Sequence, residues 1–158
     1  MKTITTYSFS ELSDQAKETA ISDYRSEGFE YAWQDENRDS LDAFCALFGV
    51  KVTDWSISTY GHSYIETDAD NGHFRGWSKA KVATIPEFLT GYCFDCDYID
   101  TFKKEFERTG NALGAFNDAI DAGLSAWVKD MEWQESDEYI ADHMEANEYQ
   151  FLENGRMI

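Results

Sequence analysis

The spacing of the apolar residues changes twice along the chain, and this change constrains the fold more than any other feature. Up to Gly49 the apolar residues recur three or four positions apart, as on one face of a helix. From Val50 to Lys79 the period becomes two, which is typical of strands with one buried face. Beyond Thr84 the helical spacing returns. The pattern predicts an α+β fold, with helices packed on a small antiparallel sheet and helix-rich N- and C-terminal parts flanking a central β-meander.

Capping residues and glycines set the limits of the predicted helices. Ser8 with Glu11 has the capping-box spacing, Ser13 is a second candidate cap, and glycines follow where helices should end. Trp127 lies in the apolar stripe of the longest helix, so we expect it in the core. The spacing predicts helices over 8–27, about 29–48, 84 to about 93, about 97–109, and from near 111 through 144 with a kink near Ser136.

The central segment and the tail carry the strand signals. The alternation predicts strands over 50–60, 63–67 and 73–79, and the Asn-Gly pair in Asp68–Gly72 predicts a turn because both residues tolerate positive φ. The tail after Tyr149 alternates again around Asn154-Gly155, which is typical of a hairpin. An exposed edge there would allow a homodimer. Since the chain has no Pro- or Ser-rich linker, we expect one domain over 1–158.

The net charge narrows the class of partner. The chain carries 31 acidic and 13 basic residues, a formal net charge of −18. Such a chain repels nucleic-acid phosphates and anionic membranes, so the expected partner is a basic protein. No apolar run approaches the roughly 20 residues of a membrane span. Met1–Ser10 has no signal-peptide pattern, which predicts a cytoplasmic protein.

The cysteines and histidines give no catalytic pattern. In Cys93-x-x-Cys96 the redox interpretation needs a helix that begins at the pair, whereas the predicted helix precedes it. A zinc site would need two more ligands, and the candidates Cys45, His62, His73 and His143 have no paired spacing. We therefore predict no catalytic residue, no metal and no cofactor. An enzyme or a metal protein stays open as the less favoured hypothesis.

Asp68–Gly72 also resembles the start of a calcium loop, but the EF-hand pattern fails. With Gly72 at position 6, positions 3 and 12 are Ala69 and Ser78, which cannot supply the required carboxylates. The segment is interpreted as a turn.

The stretch Asp130–Glu153 is the most informative part of the sequence, because it holds nine acidic residues and neither Lys nor Arg. Four of these acids are spaced three, four and three apart and would form one stripe on a helix: Glu135, Glu138, Asp142 and Glu145. Ten residues of helix span about 15 Å, along which B-DNA carries roughly nine phosphate charges, so the stripe is at best a partial DNA mimic. It is either a solvated face or a docking surface. The predicted partner-binding residues are Glu135, Asp137, Glu138, Asp142, Glu145 and Glu148, with Trp133 and Tyr139 as aromatic anchors.

The two ends of the chain resemble a known family. Tyr7–Ala20 contains F-x-E-L-S-x-x-A-K, and Asn147–Arg156 contains N-E-Y-x-F-x-x-x-G-R. Both resemble small acidic proteins of tailed phages and prophages, some described as antitoxin-like; no catalytic residues come with that family. The resemblance implies an accessory protein of the bacterial cytoplasm that inhibits a host-defence nucleoprotein machine, such as a CRISPR surveillance complex or a restriction enzyme, by occupying its basic surface. The alternative is an antitoxin or regulator that neutralises a basic toxin.

Overall fold

The computed structural model describes residues 3–27 and 29–158 and shows an α+β fold, with helices flanking a small antiparallel sheet, as predicted. The described residues form six α-helices and two strands. In chain order these are α1 (Asp14–Glu27), α2 (Gln34–Ala46), β1 (Val52–Ser56), β2 (Tyr64–Thr67), α3 (Lys79–Val82), α4 (Phe94–Thr109), α5 (Ala112–Gln134) and α6 (Asp137–Ala146).

The chain divides into two compact units. The first combines the described residues up to Tyr31 with 132–158, and the second is 32–131. The expectation of one domain over the whole chain stays a prediction.

The second unit is built around aromatic side chains of α2, α4 and α5. Phe44 is fully buried and stacks on Phe116 and Tyr98, with ring centroids 5.4 Å and 5.2 Å apart. Trp127 is also fully buried, as expected, and stacks on Trp55 of β1 at 5.5 Å. Large rings bury much apolar surface in few residues, so a small core of this kind stabilises the unit strongly.

The first unit has a smaller apolar core formed by both ends of the chain. Its buried members are Phe9, Leu12, Ala16, Ala20, Ile140, Met144 and Phe151. Tyr7 and Phe151 exchange two backbone hydrogen bonds of 2.9 Å, which tie the N-terminal segment to the tail. At Gly155 the backbone has φ +87°, and an added Cβ would lie 2.0 Å from the carbonyl oxygen of Ala16, so only glycine fits there.

Several predicted helix limits agree with the structure because they depend on local caps. The predicted start of the first helix at residue 8 is wrong, because α1 begins at Asp14, after Ser13, the second candidate cap. Ser13 Oγ accepts the backbone N–H of Ala16 at 3.2 Å at the start of α1, and the segment before it, Phe9–Glu11, is a 3₁₀ turn. The predicted end of α1 at Gly28 lies outside the described residues. Gly110, with φ +66°, ends α4. The predicted kink at Ser136 is a full break between α5 and α6.

Helix α2 begins later than predicted. It starts at Gln34 rather than near residue 29, and the polar stretch 34–40 forms its first half. Two of these polar residues, Asn37 and Ser40, are buried.

Two other predictions were wrong. The third strand at 73–79 is absent, because the Asp70 carboxylate accepts the backbone N–H groups of Gly72 and His73 and caps a 3₁₀ turn instead. The sheet therefore has two strands rather than a meander. The helix predicted to begin at residue 84 is also absent from the described segment 84–93. The tail does fold back on itself around Asn154-Gly155, as predicted. Phe151 pairs with Met157 in an antiparallel bridge, and the backbone N–H of Leu152 donates to the carbonyl oxygen of Arg156 at 2.8 Å, but the arms form isolated bridges and not regular strands.

Candidate functional site: an acidic and aromatic face on α6

All the predicted partner-binding residues lie in the first unit, on α6 or beside it. Trp133 lies in the last turn of α5, Glu135 lies in the turn that follows, and Glu148 directly follows Asn147, the C-cap residue of α6. Ser136 caps α6 by accepting the backbone N–H of Tyr139 at 3.2 Å. The predicted stripe of four helical acids is therefore corrected to three, since Glu135 precedes the helix. We call Glu138, Asp142, Glu145 and Glu148 the acidic face.

Contacts within the unit engage some of the predicted acids. Arg25 of α1 forms an ion pair with Asp137, and its Nε donates to the backbone oxygen of Glu135 at 3.0 Å. The Glu145 carboxylate accepts the backbone N–H of Ser10 at 3.0 Å. These contacts give Asp137 and Glu145 a structural role within the unit.

Three carboxylates of the acidic face have no protein partner in the described part of the chain. Glu138, Asp142 and Glu148 are exposed, and their carboxylates make no hydrogen bond or ion pair with the described residues. Glu138 and Asp142 are four residues apart on α6, where like charges repel by a few tenths of a kcal/mol. These carboxylates do not stabilise the unit through contacts, so they are available to bind a cation.

A continuous row of rings runs beside the acidic face. Trp133 is 47% exposed and packs on Tyr139, with the ring centroids 6.2 Å apart. Tyr139 stacks on His143, with the ring centroids 6.1 Å apart and an interplanar angle of 12°. His143 in turn contacts Tyr24 at 5.7 Å and Tyr149 at 5.8 Å. We call these five residues the aromatic row. Half-buried aromatic side chains beside charges are typical anchors of protein interfaces.

Three members of the aromatic row, His143, Tyr24 and Tyr149, are not among the predicted site residues. The spacing of Tyr139 and His143, four apart on one helix, could have indicated their stacking. Tyr24 comes from α1, more than a hundred residues away, and no local signal predicts its position. Burial, with smaller effects of Tyr149 and Tyr139, raises the pKa of Tyr24, so its hydroxyl stays protonated.

The charge of the first unit exceeds its share of the chain. Residues 1–31 and 132–158 hold 14 acidic and 4 basic residues, a net charge of −10 out of −18 for the whole chain. The remaining 100 residues carry only −8. A field of this sign attracts a basic surface and speeds its association at low ionic strength.

The Cys93-x-x-Cys96 pair lies elsewhere, at the start of α4, which corrects the prediction that a helix precedes it. Cys93 is the N-cap residue, and Cys96 lies in the first turn. This position favours a thiolate, but burial and then the carboxylates of Asp100, Asp95 and Asp97 raise the pKa of Cys96. The local charges therefore oppose the activation that a redox pair needs.

Within the described residues, the pair gains no further metal ligands. Among the described residues there is no group of three or more His, Cys, Asp or Glu side chains that could hold a metal ion. His73 instead contacts Asp70, with its Nδ1 3.0 Å from the carboxylate, within the local cap described above. Asp68–Gly72 thus contributes to a 3₁₀ cap.

Comparison with known proteins adds no family assignment. No protein-family description matches the chain, and no curated protein and no solved structure is similar to it. Within the described part of the chain, no helix combines the length and apolar character that crossing a membrane requires.

Proposed function

We propose that this chain is an acidic binding protein that docks its acidic face and aromatic row on the basic surface of a bacterial defence nucleoprotein machine. The observation that carries the proposal is the set of three partnerless carboxylates, Glu138, Asp142 and Glu148, beside the half-exposed rings of Trp133 and Tyr139. The carboxylates would attract and orient a basic partner, and the rings would supply the buried contacts that slow dissociation.

The class of partner is supported by charge and by the resemblance of both chain ends to phage accessory proteins. A nucleic-acid-handling machine, such as a CRISPR surveillance complex or a restriction enzyme, offers the basic groove that a net charge of −18 favours. The protein would act in the cytoplasm of the bacterial host.

The geometry limits how the inhibitor would work. Helix α6 has ten residues, so it spans about 15 Å, against roughly nine phosphate charges on the same length of B-DNA. Its solvent side carries Glu138, Asp142 and Glu145, and Glu145 already accepts a hydrogen bond from Ser10. The face is therefore too sparse to replace DNA by charge alone. We propose inhibition by occupation of the groove, with the aromatic row as the anchor.

The test is a binding measurement between the full chain and purified candidate machines from the bacterial host, at low and physiological salt. The variant E138Q/D142N/E148Q removes the three partnerless charges. The matched control E87Q/E107Q/D121N makes the same chemical changes at three exposed acids of the second unit, whose carboxylates likewise make no hydrogen bond or ion pair with the described residues.

We expect E138Q/D142N/E148Q to weaken binding at least about tenfold, because it removes several interfacial charges. The control should keep its affinity within about threefold of the wild type. Both variants should keep the free energy of unfolding within about 0.5 kcal/mol of the wild type. Equal losses in both variants would show that bulk charge, and not this face, drives binding. If no machine binds the wild-type chain, the proposed function is wrong.

A further inference from the structure

A pocket of about 550 Å³ opens in the first unit, next to the aromatic row. Tyr24 and Tyr149 belong to both features, so a partner lying on the row would reach the pocket. The two tyrosine rings have centroids 6.4 Å apart and an interplanar angle of 50°. They give the pocket an aromatic wall that is open to a ligand.

Two carboxylates complete the chemistry of this pocket. Asp23 and Glu27 lie four residues apart on α1, and both line the pocket. Neither carboxylate makes a hydrogen bond or ion pair with the described residues. An aromatic wall combined with unpaired carboxylates binds organic cations through the ring faces and through charge-assisted hydrogen bonds.

Arg156 also lines the pocket, but it does not neutralise these acids. Its guanidinium makes no hydrogen bond or ion pair with the described residues, although two carboxylates share the same pocket. Arg156 therefore leaves both carboxylates available, and its positive charge changes the net charge of the pocket from −2 to −1. An incoming cation would feel repulsion from Arg156 and attraction from Asp23 and Glu27.

We infer that this pocket receives the cationic side chain of an arginine or lysine from the surface of the basic partner. The inference rests on the proposed function, because it names the group by which the partner would be recognised. The side chain would place its charge between Asp23 and Glu27 and its apolar stem against Tyr24 and Tyr149. This contact would extend the docking surface from α6 to α1 and add specificity that the sparse acidic face lacks.

The pocket can be tested without the partner. The full chain is titrated with N-acetyl-arginine N-methylamide and with the lysine analogue, and the shifts of the tyrosine ring signals are followed by NMR. The matched probe is N-acetyl-citrulline N-methylamide, which has nearly the shape of the arginine compound but no charge. We expect saturable shifts with the two cationic probes and none with citrulline.

Three variants locate the binding. D23N/E27Q should lower the affinity for the cationic probes at least about fivefold, and R156Q should raise that affinity about twofold or more. The control E107Q/D121N, in the second unit, should keep the affinity for the cationic probes within about 1.5-fold of the wild type. Absence of saturable binding, equal binding of citrulline, or unchanged binding by D23N/E27Q would overturn the pocket assignment.

The two proposals fail separately. If the probes bind as expected but no defence machine binds the chain, the pocket stands as a cation site and the proposed function is wrong. If a machine binds through the acidic face and D23N/E27Q leaves that affinity unchanged, the proposed function stands and the pocket does not recognise the partner.

Discussion

Asp95 is the side chain whose replacement we expect to destabilise the second unit most clearly. It is fully buried at the start of α4, and both carboxylate oxygens are engaged. One oxygen accepts the backbone N–H groups of Leu89, Thr90 and Gly91 at 2.7–3.0 Å. The other accepts the hydroxyls of Ser40 at 2.7 Å and Thr90 at 2.9 Å. One carboxylate thus fixes the loop before α4 and joins it to α2.

The expected loss follows from the type of these hydrogen bonds. Bonds to a charged group contribute about 1.5–3 kcal/mol, and neutral ones about 0.5–1.5 kcal/mol. In Asp95→Asn the amide oxygen can still accept the three N–H groups, and the NH₂ can donate to the two hydroxyls. When the acceptor loses its charge, the hydrogen bond from each of the three N–H donors weakens by roughly 1 kcal/mol, and such losses are less than additive. Asp95→Asn should therefore lower the free energy of unfolding by about 2 kcal/mol. Asp95→Ala leaves the donors without a partner, so about 4 kcal/mol is expected.

The assay is urea unfolding followed by tryptophan fluorescence, since Trp127 and Trp55 report on the same unit. The matched control is Asp97→Asn, the same change two residues further along α4. Burial, and then Asp100, raise the pKa of Asp97, so its charge is not stabilised by its surroundings. We expect the control to stay within about 0.5 kcal/mol of the wild type. Equal midpoints for Asp95→Asn and the wild type would show that the charge of Asp95 does not stabilise the unit.

The pH dependence gives a second check on Asp95. Burial alone would raise the pKa of this carboxyl, but the hydrogen bonds from Ser40, Thr90 and Leu89 outweigh burial and hold the pKa below its ordinary value. A lowered pKa means that the stabilisation is complete above the unfolded-state pKa, near 3.9, and is lost as the pH falls through the folded-state value. The difference between wild type and Asp95→Asn should be constant from pH 7 to 5 and shrink below pH 4. A difference that is still unchanged at pH 3 would contradict this assignment.

Three further predictions concern the glycine beside Ala16, the ion pair of α1 and the thiols. Gly155→Ala should lower the free energy of unfolding by about 3 kcal/mol, because the added Cβ clashes with Ala16 at a position that also has a positive φ. Gly49→Ala has the strain of a positive φ, +69°, but no clash, so it should lower the free energy of unfolding by only about 1 kcal/mol. Thermal unfolding measures both, and equal losses would argue against the clash. Arg25→Gln should lower the free energy of unfolding by only about 0.5 kcal/mol, because the Asp137 side chain of its ion pair is 77% exposed. A loss above 2 kcal/mol in the same assay would contradict that. In maleimide labelling followed by mass spectrometry, exposed Cys93 should react first, and Cys45, with burial raising its pKa to about 12, only after unfolding. Early labelling of Cys45 would show that its site opens.

The parts of the fold that the sequence predicted depend on local chemistry. Ser13, Ser136 and Gly110 limit helices through bonds or backbone angles within a few residues, so their spacing was sufficient. The predicted third strand fails for a local reason that periodicity ignores. Asp70 supplies a side-chain acceptor to two backbone N–H groups that a strand would have paired with a neighbour.

The remaining errors come from side-chain partners that the spacing of apolar residues does not indicate. The segment before α4 shows a capping-box spacing, yet its N–H groups at Leu89–Gly91 bind the carboxylate of Asp95. In the candidate site, the positions of the acids could be predicted, whereas the pairing of Asp137 with Arg25 could not, because 112 residues separate them. Spacing along one helix indicates which residues share a face but not which of them another element will neutralise.

The acidic face is distinctive because few of the acids in its unit are paired with basic residues. The first unit has four basic residues for fourteen acids, and the described one nearest α6, Arg25, pairs with Asp137 at the start of the helix. A sequence selected for stability alone would interleave Lys or Arg among Glu138, Asp142 and Glu145, where each like-charge pair costs a few tenths of a kcal/mol. The same unit has the smaller apolar core, so it has the least stability to lose. Glu138 and Asp142 make no hydrogen bond or ion pair with the described residues that would offset their repulsion. A basic partner would pair them, and we therefore favour the proposed docking surface over a solvated face.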